Sequence, residues 1–295
     1  PLPFIDRAVY ALEKESIPYW IKFLQGWYDS SGISSDAFDQ AIRFDAQGGA
    51  GMTAAMVDKG IGLLTSVETS IFYMGFNMRD PVVGGEAESA RLLRQAIAIA
   101  VDYEEYIAIF SNGRGLPAQG PLPPGIFGFR DGEEGLNPYV YRWQQGQAVR
   151  RSLADARELM AQAGYPEGRD PATGQALSLN FEAVMSGSDD KARLNWLRKQ
   201  FSKLGIELVV RATDYNRFQE KMRLGTGQIY TWGWNADYPD PENFLFLLYG
   251  PNSKMTGEGE NASNYFNPDF DARFERMKNL DDGPERQAVI DEMIE

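Results

Sequence analysis

The chain has 295 residues, enough for one large domain or two ordinary ones around a sizeable core. Its formal net charge of −13 argues against nucleic-acid binding, which is driven by Lys and Arg, and no apolar run approaches the roughly 18–20 residues that span a bilayer. Without Cys or His there are no disulfides, no thiolate or imidazole metal ligands and no Ser-His-Asp or Cys-His catalysis, so only carboxylates, Lys, Tyr, Ser and Thr are left for chemistry. No cofactor and no metal site is expected.

In chain order, residues 5–12 predict a strand. A short helix follows, with Ser16 placed to cap it, Pro18 in its first turn, Tyr19, Trp20, Phe23 and Leu24 on one face and Gly26 ending it. Residues 45–62, rich in Gly and Ala, give a poor signal. Residues 71–78 predict a strand and 90–110 two helices, the first with Leu92, Leu93, Ala96, Ile97 and Ala100 at helical spacing. Gly113 to Gly125 is a long Gly/Pro loop. Ser152 and Asp155 then open a helix that Gly164 and Pro166 stop.

The most regular stretch comes next. Residues 177–183 predict a strand, 190–204 a helix, 206–211 a strand, 214–224 a helix and 228–234 a third strand. That βαβαβ order implies parallel strands with right-handed crossovers. Asp237 then falls just past the carboxyl end of a parallel strand, where open α/β sheets bind ligands. Two helices, split by Asp282-Gly283-Pro284, close the chain. A start at Pro1 without Met, and an end inside an amphipathic pattern, read as an excised fragment.

Several motifs are too weak to carry chemistry. Gly49-Ala50-Gly51-Met52-Thr53-Ala54 resembles a dinucleotide glycine pattern but no strand precedes it, and Asn261-Ala262-Ser263 is a glycosylation triplet that recurs by chance. The segment from 230 to 250 is more informative. Asp237, Asp240 and Glu242 stand beside Trp232, Trp234 and Tyr238, as in a sugar-processing site with paired carboxylates. Those acids lie within six residues on one loop, however, whereas glycosidase pairs face each other from separate elements. Asp240 and Glu242 are better placed to cap the helix that begins at Pro241. Asp237, if buried, needs a partner; Lys and Arg are scarce nearby, and a cationic ligand group would serve.

Motifs spread along the chain resemble the extracellular solute-binding proteins of family 5, the peptide- and oligopeptide-binding receptors of ABC importers. They are Gly26-Trp27-Tyr28-Asp29, Phe76-Asn77-Met78 with Leu93-Arg94-Gln95-Ala96-Ile97 and Ala100-Val101-Asp102, the loop from Gly115 to Pro124, and Ala163-Gly164-Tyr165-Pro166. Gly233-Trp234-Asn235-Ala236-Asp237-Tyr238-Pro239-Asp240-Pro241 and Asn264-Tyr265 with Asn267-Pro268-Asp269-Phe270-Asp271 complete the set.

The resemblance implies an α/β, periplasmic-binding-protein-like fold (type II, cluster C) of two lobes. Residues 1–70 would be a remnant of the first lobe and the hinge approach, and 71–295 most of the second ligand-binding lobe, with the parallel βαβαβ core. It also implies that Asp237 binds the α-ammonium of a peptide, that Trp234, Asn235 and Tyr238 line the site, and that Asn264 is a nearby polar group. The implied partners are a peptide or other small solute and a membrane permease. A monomeric, non-enzymatic receptor, periplasmic or extracellular and membrane-associated, is expected. An oligosaccharide or other small-solute receptor is the alternative within the family, and a carboxylate-based glycoside hydrolase the alternative outside it.

Overall fold

The computed structural model describes residues 4–13, 16–44, 49–185, 188–256 and 259–295. They form two compact units. The smaller holds the described residues of Pro1–Ser66, Glu105–Gly115 and Ser186–Ser188; the larger holds those of Val67–Glu104, Leu116–Met185 and Asp189–Glu295.

The smaller unit opens with α1 (Ser16–Leu24), α2 (Phe38–Ala41), the antiparallel pair β1 (Ile42–Phe44) and β2 (Ala50–Met52), and α3 (Ala54–Val57). Trp20 of α1 is buried against Phe38, Ala41, Ile42, Met52 and Met56, with Tyr19, Phe23 and Leu24 packed alongside. The face read from the helical spacing is therefore the core face. Gly26 leaves the helix at φ 79°, a conformation that favours glycine. The side chain of Ser16, expected to cap α1, lies outside the described residues.

Residues 5–12 do not form the expected strand. Apolar composition alone does not make a strand, because its backbone N–H and C=O groups need a neighbouring edge to bond. Among the described residues none pairs with this segment, and Ile5, Val9, Tyr10 and Leu12 are exposed.

The larger unit is built on one sheet. Its elements run β3 (Ser70–Phe76), α4 (Glu88–Ala100), the first residues of α5 (Tyr103–Phe110), the hairpin β4 (Tyr141–Gln144) and β5 (Gln147–Arg150), and α6 (Leu153–Gln162). The regular core follows as β6 (Ser178–Val184), α7 (Ser188–Ser202), β7 (Glu207–Thr213), α8 (Tyr215–Arg223) and β8 (Ile229–Asn235). Three helices end it: α9 (Glu242–Leu245), α10 (Pro268–Met277) and α11 (Pro284–Ile294).

The strand order is β3-β8-β6-β7, with β6 parallel to both β7 and β8 and β3 antiparallel to β8. The βαβαβ order thus becomes parallel strands, as the periodicity predicts, with one antiparallel strand added at the edge. Helix starts follow their local chemistry. Ser152 and Asp155 form a reciprocal capping box on α6, Asp214 accepts the Arg217 N–H on α8, and Asn267 accepts the Asp269 and Phe270 N–H groups on α10.

The β4–β5 hairpin has no counterpart in the sequence reading. Gln145 and Gly146 turn it with φ of 52° and 79°, the two left-handed residues a tight hairpin requires. Arg150 at its end reaches the last carbonyls of α4, those of Ala98, Ile99 and Val101, at 3.0–3.3 Å, and pairs with Glu104. A cation there meets the negative end of the helix.

Two glycines on β3 and β8 fix the sheet's packing. Gly75 lies opposite Tyr230, and a methyl group on it would sit 2.2 Å from the phenol ring; Gly233 lies opposite Phe72, where the same addition would meet the ring at 2.4 Å. Tyr230, fully buried, spreads across the bare backbone of Gly75 and packs on Phe218 and Met222 of α8. Gly75→Ala is therefore expected to lower stability by about 1–3 kcal/mol in urea unfolding. A loss under about 0.5 kcal/mol would show that the ring does not occupy that space.

Candidate ligand-binding site

The side chains of β8 alternate, so Tyr230, Trp232 and Trp234 share one face. The register with β3 places Tyr73 opposite Trp232 and Ile71 opposite Trp234. Trp232 packs on Phe218 at 5.1 Å between ring centres and carries the Lys254 ammonium 5.0 Å above its ring; Lys254 is also paired with Glu260 at 2.8 Å. Trp234 meets Phe246 edge-on at 5.0 Å, against the cluster of Ile71, Leu122, Phe244, Leu245 and Ile290.

The chain leaves β8 at Asn235, whose side-chain oxygen accepts the Ser70 hydroxyl at 2.8 Å. Ala236 makes one more bond toward β3, its N–H to the Thr69 carbonyl. Asp237, Tyr238 and Pro239 then stand exposed before α9 turns the chain back into the core. Asp237 lies past the carboxyl end of β8, as the strand order requires. Its side chain is exposed, so the condition of burial weighed for it is not met: Pro239 and Pro241 interrupt regular structure in the loop. Among the described residues the Asp237 carboxylate forms no ion pair.

The other two acids are occupied. Asp240 takes a two-pronged contact from Arg286, at 2.7 and 2.9 Å, and accepts the Glu242 N–H at 2.8 Å. Arg286, 5% exposed, also bonds Asp282 and the Met277 carbonyl. Burial opposes its charge, but the two carboxylates outweigh it and hold its pKa above the ordinary value. Glu242 accepts the Tyr238 hydroxyl at 2.5 Å, and the carboxylate raises the phenol's pKa. The capping expectation holds for Asp240. Glu242 supports Tyr238 instead.

Sequence reasoning missed Asn243. Its side-chain oxygen accepts the Asp237 backbone N–H at 2.8 Å and the Trp234 indole N–H at 3.2 Å, while the residue is 3% exposed. The available signal was a polar residue at the head of the apolar run Phe244-Leu245-Phe246-Leu247-Leu248.

Trp234, Asn235, Asp237 and Tyr238 are thus brought together at one strand end. Asn264 is not. Its amide donates to Asn77 at 3.2 Å and accepts the Ser253 hydroxyl at 2.8 Å, buried at 5% exposure. Asn77 follows β3, whose last residue, Phe76, pairs with Ile229 at the start of β8. The six steps of β8 separate that end from Asn235 by about 20 Å at about 3.3 Å per residue. Asn264 therefore belongs to a buried amide network at the opposite end of β8 from Asp237.

One free carboxylate beside two aromatic side chains, in front of a sheet's carboxyl end, can hold a cationic group. The other two acids of the loop are not free to pair with it, because Asp240 is held by Arg286 and Glu242 accepts the Tyr238 hydroxyl. No group of three or more potential metal-ligating residues occurs among the described residues, and no helix among them is long and apolar enough to cross a membrane.

A sequence model of the bacterial extracellular solute-binding proteins, family 5 Middle, matches residues 24–256. Heme-binding protein A of Haemophilus influenzae is 25% identical over 234 residues, covering 79% of this chain and 38% of its own length. The periplasmic oligopeptide-binding protein OppA of Salmonella typhimurium is 25% identical over 181 residues, covering 61% and 29% respectively. The chain spans about a third of the length of these curated relatives.

Among solved structures, the Bacillus subtilis oligopeptide-binding protein AppA, in complex with a nonapeptide, gives a TM-score of 0.70 at 15% identity, over 96% of this chain and 50% of its own. The Helicobacter pylori periplasmic binding protein DppA, in complex with the peptide STSA, gives 0.68 at 20% identity over 95% and 46%. At such identities these structures show the fold alone, that of the two-lobe periplasmic binding proteins.

The clamp on the loop gives a direct expectation. Arg286→Met leaves Asp240, a third exposed, without its arginine and should lower stability by about 1–3 kcal/mol in urea unfolding. Adding Asp240→Asn should recover part of that loss, and an Arg286→Met protein as stable as the parent would show that the clamp carries no weight.

Proposed function

The chain belongs to the bacterial extracellular solute-binding proteins of family 5, and from that premise we propose that it captures peptides for an ABC importer. Members of that family are binding proteins rather than enzymes, and this chain is not an enzyme. The observation that carries the reading is the exposed Asp237 carboxylate, which forms no ion pair among the described residues and stands at the carboxyl end of β8. It takes the ligand's α-ammonium, a charge-assisted contact that fixes the amino end without reading side chains.

A second feature favours a peptide over a sugar. β6 pairs with β8 only at Ile229 and Tyr230, so the strands part before the segment 231–235. Backbone groups on that edge have no strand partner among the described residues, and an extended peptide can add to them. Trp234 and Tyr238 wall the site, and Asn235 offers a side-chain amide at its rim. Residues 71–295 are most of the second ligand-binding lobe and residues 1–70 a remnant of the first, in a receptor class that holds ligand by hinge closure of its lobes. The protein acts outside the cytoplasmic membrane as a monomer and delivers its ligand to a permease.

Isothermal titration of the full-length protein with trialanine and with N-acetyl-trialanine tests this. Trialanine should bind, and acetylation or Asp237→Asn should each weaken binding roughly thirtyfold or more, about 2 kcal/mol. Equal affinity for free and acetylated peptide would overturn the Asp237 assignment. Binding of haem or oligosaccharide but of neither peptide would overturn the ligand class.

A further inference from the structure

We infer that Asn243 is the positioning residue of the ligand hook: one buried side-chain oxygen holds the Asp237 backbone and the Trp234 ring in a single relative placement. The inference deepens the peptide-capture reading and rests on it for the role of Asp237. The contacts are the Asp237 N–H at 2.8 Å and the Trp234 indole N–H at 3.2 Å, both onto Oδ1. An amide oxygen has two lone pairs, so these two donors use its full capacity.

The support beneath that oxygen is rigid. Asn243 lies on α9 between Glu242 and Phe244; Phe244 and Leu245 are fully buried, and Phe246 packs edge-on against Trp234. The same short segment therefore holds the ring by apolar contact and by hydrogen bond. Asp237, by contrast, sits on an exposed loop between a strand end and two prolines, where nothing regular fixes its backbone. Tying its N–H to the core removes freedom that would otherwise be lost on ligand binding.

The choice of residue also needs explaining. Burying an amide in an apolar cluster costs free energy unless its hydrogen bonds are met, and a leucine of similar size would pack there without that cost. The Asn243 side-chain oxygen meets its bonds with the two groups that frame the proposed site. Its amide bears on the third as well. Glu242 raises the Tyr238 phenol pKa, and the Asn243 side chain works in the opposite sense.

The test compares Asn243→Ala, which removes the oxygen, with Asn243→Asp, which keeps it at the same reach. In the ligand-free full-length protein, exchange of the Asp237 amide is read by NMR beside amides of β6, which report a general loss of stability. Asn243→Ala should speed Asp237 exchange at least tenfold against that reference, and Asn243→Asp should restore protection. In titrations, the preference for trialanine over N-acetyl-trialanine should fall about tenfold in Asn243→Ala and return in Asn243→Asp.

Unchanged exchange in Asn243→Ala, or equal losses in both variants, would overturn the inference. If Asn243→Ala does not fold, Asn243→Asp decides alone: retained protection supports the inference and lost protection overturns it. A parent protein that does not distinguish the two peptides would sink the Asp237 reading, and the exchange measurements would still judge the positioning role.

Discussion

Everything at the candidate site depends on β8 being held along both edges by strands remote in sequence. β3 pairs with its whole length in antiparallel register, and β6 grips only its first two residues in parallel. The first pairing fixes where the strand ends, and hence where Asp237 emerges. The second releases the strand before that end, so among the described residues no strand pairs with its last residues on the β6 side. Gly75 and Gly233 make the β3–β8 register specific, because each admits an aromatic ring across the strand pair that a side chain would block.

Past β8, the loop is anchored twice by different physics. Asn243 reaches up from the apolar core and meets a backbone N–H and an indole N–H with a neutral oxygen. Arg286 reaches from α11, 46 residues beyond Asp240 in sequence, and grips that carboxylate with two prongs. Such a pair adds less net stability than its short contacts suggest, since both charges are taken from water; its value is in fixing one geometry. Of three acids in the loop, Asp240 is held by Arg286 and Glu242 by the Tyr238 hydroxyl. The one left over is the one placed at the strand's carboxyl end.

The loop after β8 was legible in the sequence, and its surroundings only in part. The alternation in β8 and the spacing in α7 and α8 are local patterns, legible because periods of two and 3.6 residues appear within a dozen positions. Residues 5–12 show the limit of that reasoning, since an apolar run becomes a strand only when another edge accepts its backbone bonds. Asn264 shows another limit. A motif containing a polar residue suggested a place near Asp237, yet its partner Asn77 is 187 positions away and draws it to the opposite end of β8. The Gln145-Gly146 turn was legible in principle, but only for a reader expecting a hairpin there.

The sequence by itself determined that the core strands run parallel, the capping box that opens α6 and the position of Asp237 after the third strand of the core, because each follows from chemistry within a few residues. Only the tertiary structure decided which loop carboxylate forms no ion pair among the described residues, which amide supports the loop and which is buried at the far end of β8. Those outcomes turn on Arg286 finding Asp240, Asn264 finding Asn77 and β3 finding β8. Such long-range pairings are selected by burial and hydrogen-bond satisfaction across the whole fold, and they leave no periodic trace in the chain.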